Sequence, residues 1–273
     1  MIEANPDFSK IAVALYSITN SASGQTRGLY ISNDGGGSWS SSLYPSDQAW
    51  VAVRSNKAFT KFVAAVHYGY LYLSTDAGKT WSQLTSAGSE AWQDLAVTDD
   101  FMKIFAMDYK LTSPKGRLST DGGISWFPTN LPPATTTKYM SGVTANSDFT
   151  KIVLAVISSS LYLSTDQGQT WVALGGGGSS ASQSWLGVSA NYDMSIIIGA
   201  ASKSGFFISK DSGATFKLIG PAYSWAGVTI SEDGSKIAAV EYPNGIWQSS
   251  DGGQTWVSNG GTLTDVPAPT GGA

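Results

Sequence analysis

The octet STDAGKTW, from Ser74 to Trp81, recurs in related form at five other places in the chain. The shared pattern is Ser-x-Asp-x-Gly-x-Ser/Thr-aromatic. An Asp carboxylate can accept hydrogen bonds from backbone N–H groups of its own turn, and the Gly two residues later permits a positive φ. The octet therefore predicts a turn that closes itself between two strands. The six octets span Ser32 to Trp39, Ser74 to Trp81, Ser119 to Trp126, Ser164 to Trp171, Ser209 to Phe216 and Ser249 to Trp256.

The octets are evenly spaced. Their aspartates are Asp34, Asp76, Asp121, Asp166, Asp211 and Asp251, so the steps are 42, 45, 45, 45 and 40 residues. A period in the forties is the length of one four-stranded propeller blade. The sequence therefore predicts an all-β chain, folded as one six-bladed β-propeller of four-stranded antiparallel blades over residues 1–273. The predicted blades cover residues 1–45, 46–87, 88–134, 135–180, 181–220 and 221–260.

The two ends of the chain predict how the ring closes. The first repeat begins at Asn5, in the polar turn that follows an innermost strand, so its own innermost strand is expected to be missing. Residues 261–268, centred on Thr262 to Val266, are predicted to pair into the first blade as a closing strand, and residues 269–273 form a tail. Closure of this kind removes an exposed sheet edge.

Composition excludes several classes of protein. Charged residues are 13% of the chain, the net charge is −4 and no basic run occurs, which excludes binding to nucleic acid by phosphate neutralisation. Cys is absent and His67 is the lone histidine, so neither a metal nor a cofactor is expected, although backbone and Asp oxygens of a preformed site could hold Ca²⁺. No apolar run is long enough for membrane insertion. The N-terminus lacks a signal-peptide pattern, although the low charge favours an extracellular location.

The six octets resemble the Asp boxes, or BNR repeats, of a β-propeller family that includes sialidases, xyloglucanase-type hydrolases, sortilin-type receptors and a photosystem II assembly factor. The resemblance implies a propeller over nearly the whole chain. It also implies that the octets lie on the face opposite the usual ligand site. It does not imply an activity, because these boxes occur in hydrolases, receptors and assembly factors alike.

The sequence contains no convincing catalytic set. The resemblance implies that a sialidase would need three arginines around the ring, but Arg27, Arg54 and Arg117 all lie in the first three repeats. A glycoside hydrolase or lyase needs two facing carboxyl groups. The carboxylates predicted for the loop face are Asp47, Glu90, Asp94, Asp108 and Glu241, and they leave that alternative open.

The leading prediction is a non-catalytic binding or scaffold propeller that recognises a carbohydrate or a protein through the loop face. A structural module of a larger assembly is a further alternative, and the oligomeric state is not predicted. Aromatic rings at the starts of innermost strands either contact the ligand or pack between blades. The candidate ligand-binding residues are Trp50, Trp92, Tyr139, Trp185 and Trp225 at those starts, and Tyr68, Tyr109 and Tyr242 in the loops.

Overall fold

A computed structural model describes residues 1–5, 9–15, 28–41, 48–109, 116–132, 138–175, 183–231, 233–241 and 245–258. The described residues are almost entirely β-strand and turn, and the one helical element among them is a 3₁₀ turn at Thr85–Ala87. Their helices include none that is long and apolar enough to cross a membrane. The chain divides into two compact units, one mainly of residues 1–131 and the other mainly of residues 132–273.

The first unit contains three antiparallel meanders of four strands each. In the second meander the second strand, β6 (Phe62–Gly69), is eight residues long and pairs with β9 (Glu90–Val97) beyond the end of its own meander, which joins the second and third meanders into one sheet. The strands are β1 (Ile2–Ala4), β2 (Ile11–Leu15), β3 (Gly28–Ser32) and β4 (Ser40–Ser41); β5 (Trp50–Ser55), β6 (Phe62–Gly69), β7 (Leu71–Ser74) and β8 (Ser82–Leu84); and β9 (Glu90–Val97), β10 (Ile104–Asp108), β11 (Gly116–Ser119) and β12 (Phe127–Thr129).

The second unit repeats this arrangement with three further meanders, numbered fourth to sixth. Here β14 (Ile152–Ser159) pairs with β17 (Gln183–Ala190), as β6 does with β9. The strands are β13 (Met140–Ala145), β14 (Ile152–Ser159), β15 (Leu161–Ser164) and β16 (Val172–Ala173); β17 (Gln183–Ala190), β18 (Ile197–Ala201), β19 (Gly205–Ser209) and β20 (Lys217–Ile219); and β21 (Trp225–Ile230), β22 (Ile237–Glu241), β23 (Gly245–Ser249) and β24 (Val257–Ser258). Each predicted blade span contains one meander.

The start of the chain differs from the prediction. Ile2–Ala4 forms β1, which pairs antiparallel with β2 in the position that β5 occupies beside β6. The expectation that the first repeat lacks its own innermost strand is therefore wrong, because three residues ahead of the Asn5 turn suffice for the pairing. The predicted closing strand at 261–268 lies outside the described residues.

A β-bulge recurs near the start of the innermost strand. In the second meander the register passes from Trp50 opposite Val66 to Ala52 opposite Ala65, so Val51 is the extra residue. The same one-residue skip occurs in β9, β13, β17 and β21. A bulge bends its strand and increases the local twist. In the fourth meander the residue that matches Trp50 is Met140, so the predicted alignment of Tyr139 was wrong by one position.

The octets form one hydrogen-bonded turn, shown here at Asp76. Ser74 Oγ and the Thr80 N–H donate to Asp76 Oδ1 at 2.8 and 2.9 Å, and Thr80 Oγ1 donates to Oδ2 at 2.6 Å. Gly78, with φ of +83°, donates its N–H to Ser74 Oγ at 2.9 Å. The bonds to the carboxylate recur at Asp34, Asp121, Asp166, Asp211 and Asp251.

The polar turn between the first and second strands lies against the Asp-box turn of the same meander. In the second meander the Ala77 N–H donates to the Thr60 carbonyl at 2.9 Å. Lysines at the ends of these polar turns reach the next turn along the chain: Lys61 Nζ donates to the Asp100 carbonyl at 3.1 Å. Each meander therefore has an Asp-box end and, at the other ends of its strands, a loop end.

Candidate functional site

The tryptophans predicted at the starts of innermost strands are interior residues. Trp50, Trp92, Trp185 and Trp225 are at most 1% exposed. Trp50 packs edge-on against Tyr72 of β7 with ring centroids 5.3 Å apart, and Trp185 packs against Phe207 of β19 at 5.4 Å. Burial of this kind favours packing over ligand contact for these four residues. Their contact with a ligand stays a prediction, as does that of the half-buried Tyr139.

The third strand supplies the partner ring, at a position that the sequence analysis missed. In every meander, one residue of the third strand lies opposite the third residue of the second strand. This residue is aromatic in five meanders, and in the remaining one, β9 to β12, it is Arg117. The signal was present in the sequence, since the third strands align directly ahead of the octets. The residues at this position are Tyr30, Tyr72, Arg117, Tyr162, Phe207 and Trp247.

An aromatic patch of one exposed and two partly buried rings lies at the loop end of the second and third meanders. The hairpin between β6 and β7 places Tyr68 at φ of +54° with 73% of its surface exposed. The His67 ring lies 4.3 Å from the Tyr68 ring and 6.1 Å from the Tyr109 ring, measured between centroids. His67 Nδ1 is 3.1 Å from the Trp92 carbonyl oxygen. We call His67, Tyr68 and Tyr109 the tyrosine patch.

Pairing between meanders fixes the base of this patch. His67 lies opposite Ala91 and Gly69 lies opposite Glu90, so the hairpin is held against the start of β9. The Tyr109 N–H also donates to the Ala91 carbonyl at 2.8 Å. Main-chain bonds therefore hold the backbone beneath the two tyrosines. A non-glycine residue at positive φ is typical of turns and functional loops.

The carboxylates predicted for the loop face are buried where the structure describes them. Glu90 is 7% exposed, Asp108 0% and Glu241 6%, and Glu241 accepts a 2.7 Å hydrogen bond from Trp247 Nε1. Asp94 lies in the middle of β9 and forms an ion pair with Arg54, in which Nη2 is 2.8 Å from Oδ1. Its predicted place on the loop face was wrong, because Asp94 lies inside β9, opposite Met107, and its carboxylate contacts Arg54 of the neighbouring innermost strand. Asp47 and Tyr242 lie outside the described residues.

In the ranges that the structure describes, no three His, Asp or Glu side chains are grouped as metal ligands. A groove of about 550 Å³ lies at the Asp-box end of the fifth and sixth meanders, and the predicted ligand-binding residues do not line it. Its lining includes Lys210, Lys217 and Leu218.

Comparisons with known proteins support the repeat and the fold. Residues 72–83 and 162–173 match the family model described as BNR/Asp-box repeat, so the chain carries Asp-box repeats of that kind. No curated protein matches the sequence significantly.

Solved structures that resemble the chain include two with TM-scores above 0.6. YCF48 bound to D1 peptide has a TM-score of 0.66 at 14% identity, covering 94% of this chain and 80% of that one. A chain of the nidogen/laminin complex has 0.67 at 10% identity, covering 86% and 90%. The likeness shows an all-β, β-propeller type of fold. A GH74 enzyme of Niastella koreensis reaches 0.48 at 13% identity over 96% and 49%, which is too low to carry an argument.

Proposed function

We propose that this protein is a non-catalytic propeller that binds a partner protein through the loop end of its meanders. The observation that carries the proposal is the tyrosine patch. Tyr68 exposes 73% of its surface on a hairpin tip held by main-chain pairing, and it lies beside His67 and Tyr109. Tyrosine offers a large contact area with a polar tip at low cost in conformational entropy, and it is enriched in protein interfaces.

The structural neighbours support a protein partner over a carbohydrate. YCF48 is described as bound to D1 peptide and the other neighbour as a nidogen/laminin complex, so both contain a protein partner. The buried state of Trp50, Trp92, Trp185 and Trp225 points the same way, because stacking on a sugar ring needs an exposed aromatic face. Carbohydrate recognition is the alternative that the experiment below includes.

The proposal is tested by selecting peptides from a random phage-displayed library against the full chain. We expect selected peptides to lose at least about tenfold in affinity for the double variant Tyr68→Ser and Tyr109→Ser, since most binding energy lies in a few aromatic contacts. Ile124→Ser, in the third Asp-box turn and 78% exposed, is the matched control and should bind like the wild type.

Two results would contradict this function. One is peptide binding that is lost in Ile124→Ser and kept in the Tyr68 and Tyr109 double variant. The other is a failure to select any peptide together with binding of the chain to a glycan array, sensitive to Tyr68→Ser. The second result would replace the protein partner with a carbohydrate.

We also infer that the six meanders are the six blades of one closed ring. The count of four strands in every described meander and the spacing of the Asp boxes support this inference. A crystal structure of the full chain tests it directly, and a different number of blades or an open ring would refute it.

A further inference from the structure

The hairpins between the second and third strands share one backbone feature in the second, fourth and fifth meanders, where the structure describes them. Each hairpin has a three-residue loop, and the middle residue of that loop has a positive φ. The φ angle is +54° at Tyr68, +54° at Ser158 and +61° at Lys203. We call these three residues the hairpin tips, and all three are exposed.

A side chain at positive φ needs a reason, because glycine adopts this conformation without the steric cost. In the polar turns between first and second strands the reason is packing. There Phe59, Phe149 and Met194 have positive φ and are at most 1% exposed. The hairpin tips have no such burial. An exposed side chain that is kept at a strained position favours a contact outside the chain.

Main-chain hydrogen bonds hold the Lys203 tip in place. The Ser202 N–H donates to the Ser184 carbonyl at 2.9 Å, and the Lys203 N–H donates to the Tyr223 carbonyl at 3.0 Å. Tyr223 is 39% exposed, and its ring centroid lies 5.3 Å from that of Trp247. The side chain of Lys203 therefore extends from a fixed backbone that is bonded to a partly exposed tyrosine.

The Ser158 tip contacts the same strand, β17. Ser158 Oγ lies 3.5 Å from Ser184 Oγ, and the Ser158 carbonyl accepts a hydrogen bond from Lys138 Nζ. Ser184 therefore joins the two tips, with its hydroxyl group beside Ser158 and its carbonyl bonded to Ser202. Hydroxyl and ammonium groups, which are hydrogen-bond donors, are concentrated around it.

The carboxylates of this part of the chain lie mostly at the other end of the strands. Among the described residues from 138 to 258, Glu241 is the one carboxylate at the loop end, and it is 6% exposed. Both ion pairs among the described residues involve Arg54, so Lys203 takes part in neither. The loop end of the second unit is therefore locally positive, although the chain has a net charge of −4. The carboxylates in the polar turns and Asp boxes are Asp148, Asp166, Asp193, Asp211, Asp233 and Asp251.

We propose that the hairpin tips Ser158 and Lys203 form a second contact surface, in the second unit, and that this surface binds an acidic segment of the partner protein. The inference rests on the proposed function and adds the charge of the ligand. Lys203 supplies the positive charge, and the hydroxyl groups of Ser158 and Ser184 supply further donors for carboxylate oxygens. Complementary charge speeds association and selects against basic partners.

The charge reversal Lys203→Glu tests this surface, and Lys79→Glu is its matched control. Both lysines are exposed and both variants have the same net charge, but Lys79 lies in an Asp box. The probes are fluorescein-labelled peptides from the display selection against the full chain. Each peptide is paired with a copy in which Asn and Gln replace Asp and Glu, and fluorescence anisotropy measures the affinities.

A third variant, Lys203→Gly, separates binding from folding. Glycine adopts a positive φ without steric cost, so the urea midpoint of Lys203→Gly should be no lower than that of the wild type. Its affinity for acidic peptides should nevertheless fall about threefold, because one exposed charge is lost. A lower midpoint would show that the lysine serves its own loop, and it would overturn the argument from the strained tip.

We expect acidic peptides to bind Lys203→Glu at least about tenfold more weakly than the wild type, and Lys79→Glu within about twofold of it. The neutral copies should bind all three proteins equally. A selection without acidic peptides, or an equal effect of the two charge reversals, overturns the second surface. If the selected peptides still depend on Tyr68, the proposed function survives that result. If none depends on Tyr68, the tyrosine patch fails, whatever Lys203→Glu shows.

Discussion

Gly199 and Gly227 are both strand glycines in the second unit, but their surroundings differ. A methyl group on Gly199 would lie 2.5 Å from Cζ3 of Trp185, whereas one on Gly227 would meet no atom of the described chain within 4 Å. We expect Gly199→Ala to lower the free energy of unfolding by about 1–3 kcal/mol, because the buried indole must move. Gly227→Ala should change it by no more than about 0.5 kcal/mol. Urea unfolding of the two variants measures the difference, and equal values would show that the Trp185 site is not tightly packed.

Single residues also show how far the sequence alone could go. The octet predicted the Asp-box bonds because all the partners lie within four residues of the aspartate. Arg117 was visible in the sequence as the one non-aromatic residue two positions ahead of an octet, but only the strand register shows that it lies opposite Ala106. The burial of Trp50 and its equivalents was left open, because a repeated aromatic fits both packing and binding.

At the scale of strands, Arg54 connects three innermost strands of the first unit. Its guanidinium lies 2.8 Å from Asp94 of β9 and 3.7 Å from Glu3 of β1, and its Nε donates to the Leu95 carbonyl at 2.9 Å. Burial raises the pKa of Glu3, while the nearby Arg54 charge lowers it in part. The sequence did not predict this link, since it joins residues about forty to fifty positions apart.

Removing this cation should be costly. We expect Arg54→Met to lower the free energy of unfolding by about 3 kcal/mol, because it leaves the Asp94 carboxylate, which is 3% exposed, without its partner. The double variant Arg54→Met and Asp94→Leu should recover part of that loss, since the buried Asp94 carboxylate is removed as well, while Glu3 still lacks the Arg54 charge. Guanidinium chloride unfolding of the wild type, the single variant and the double variant measures these differences in the free energy of unfolding. A double variant as unstable as Arg54→Met would show that packing of the arginine stem, and not its charge, is what matters.

At the scale of the whole molecule, the Asp boxes predict how the protein responds to acid. Hydrogen bonds from the Ser or Thr four residues later, together with the backbone, lower the pKa from 3.8 to about 2 at Asp34, Asp76, Asp121, Asp211 and Asp251. A carboxyl group whose pKa is lower when folded stabilises the folded state above its unfolded pKa. That stabilisation is lost as the pH falls from about 3.8 toward 2.

We therefore expect the urea midpoint to fall steeply across this interval, because these five groups act together with Asp233, whose pKa is also lowered to about 2 by hydrogen bonds from Ser231 and Ser235. Asp251→Asn should make the decline shallower, since one of these groups no longer titrates. Circular dichroism at a series of pH values measures both curves. A midpoint that stays constant down to pH 2 would contradict the hydrogen-bond explanation.

Across the whole molecule, the repeat predicted six groups of strands, and each predicted span contains one four-stranded meander. It could not predict β1, because three residues before a turn carry no periodic signal. Nor could it predict the pairing of β6 with β9, which depends on how far one hairpin extends beyond its sheet. That pairing supports the tyrosine patch, so the candidate site was harder to foresee than the fold.

The Asp-box turn has a consequence for how such a chain can lengthen over evolution. Every hydrogen bond of the Asp-box turn at Asp76 joins residues no more than four positions apart in the sequence, so the turn forms without closing a long loop. A tandem duplication of one repeat therefore copies all the residues that form its Asp-box turn, and no change elsewhere in the chain is needed for the copied turn to form. The opposite ends of the strands are then free to diverge from copy to copy.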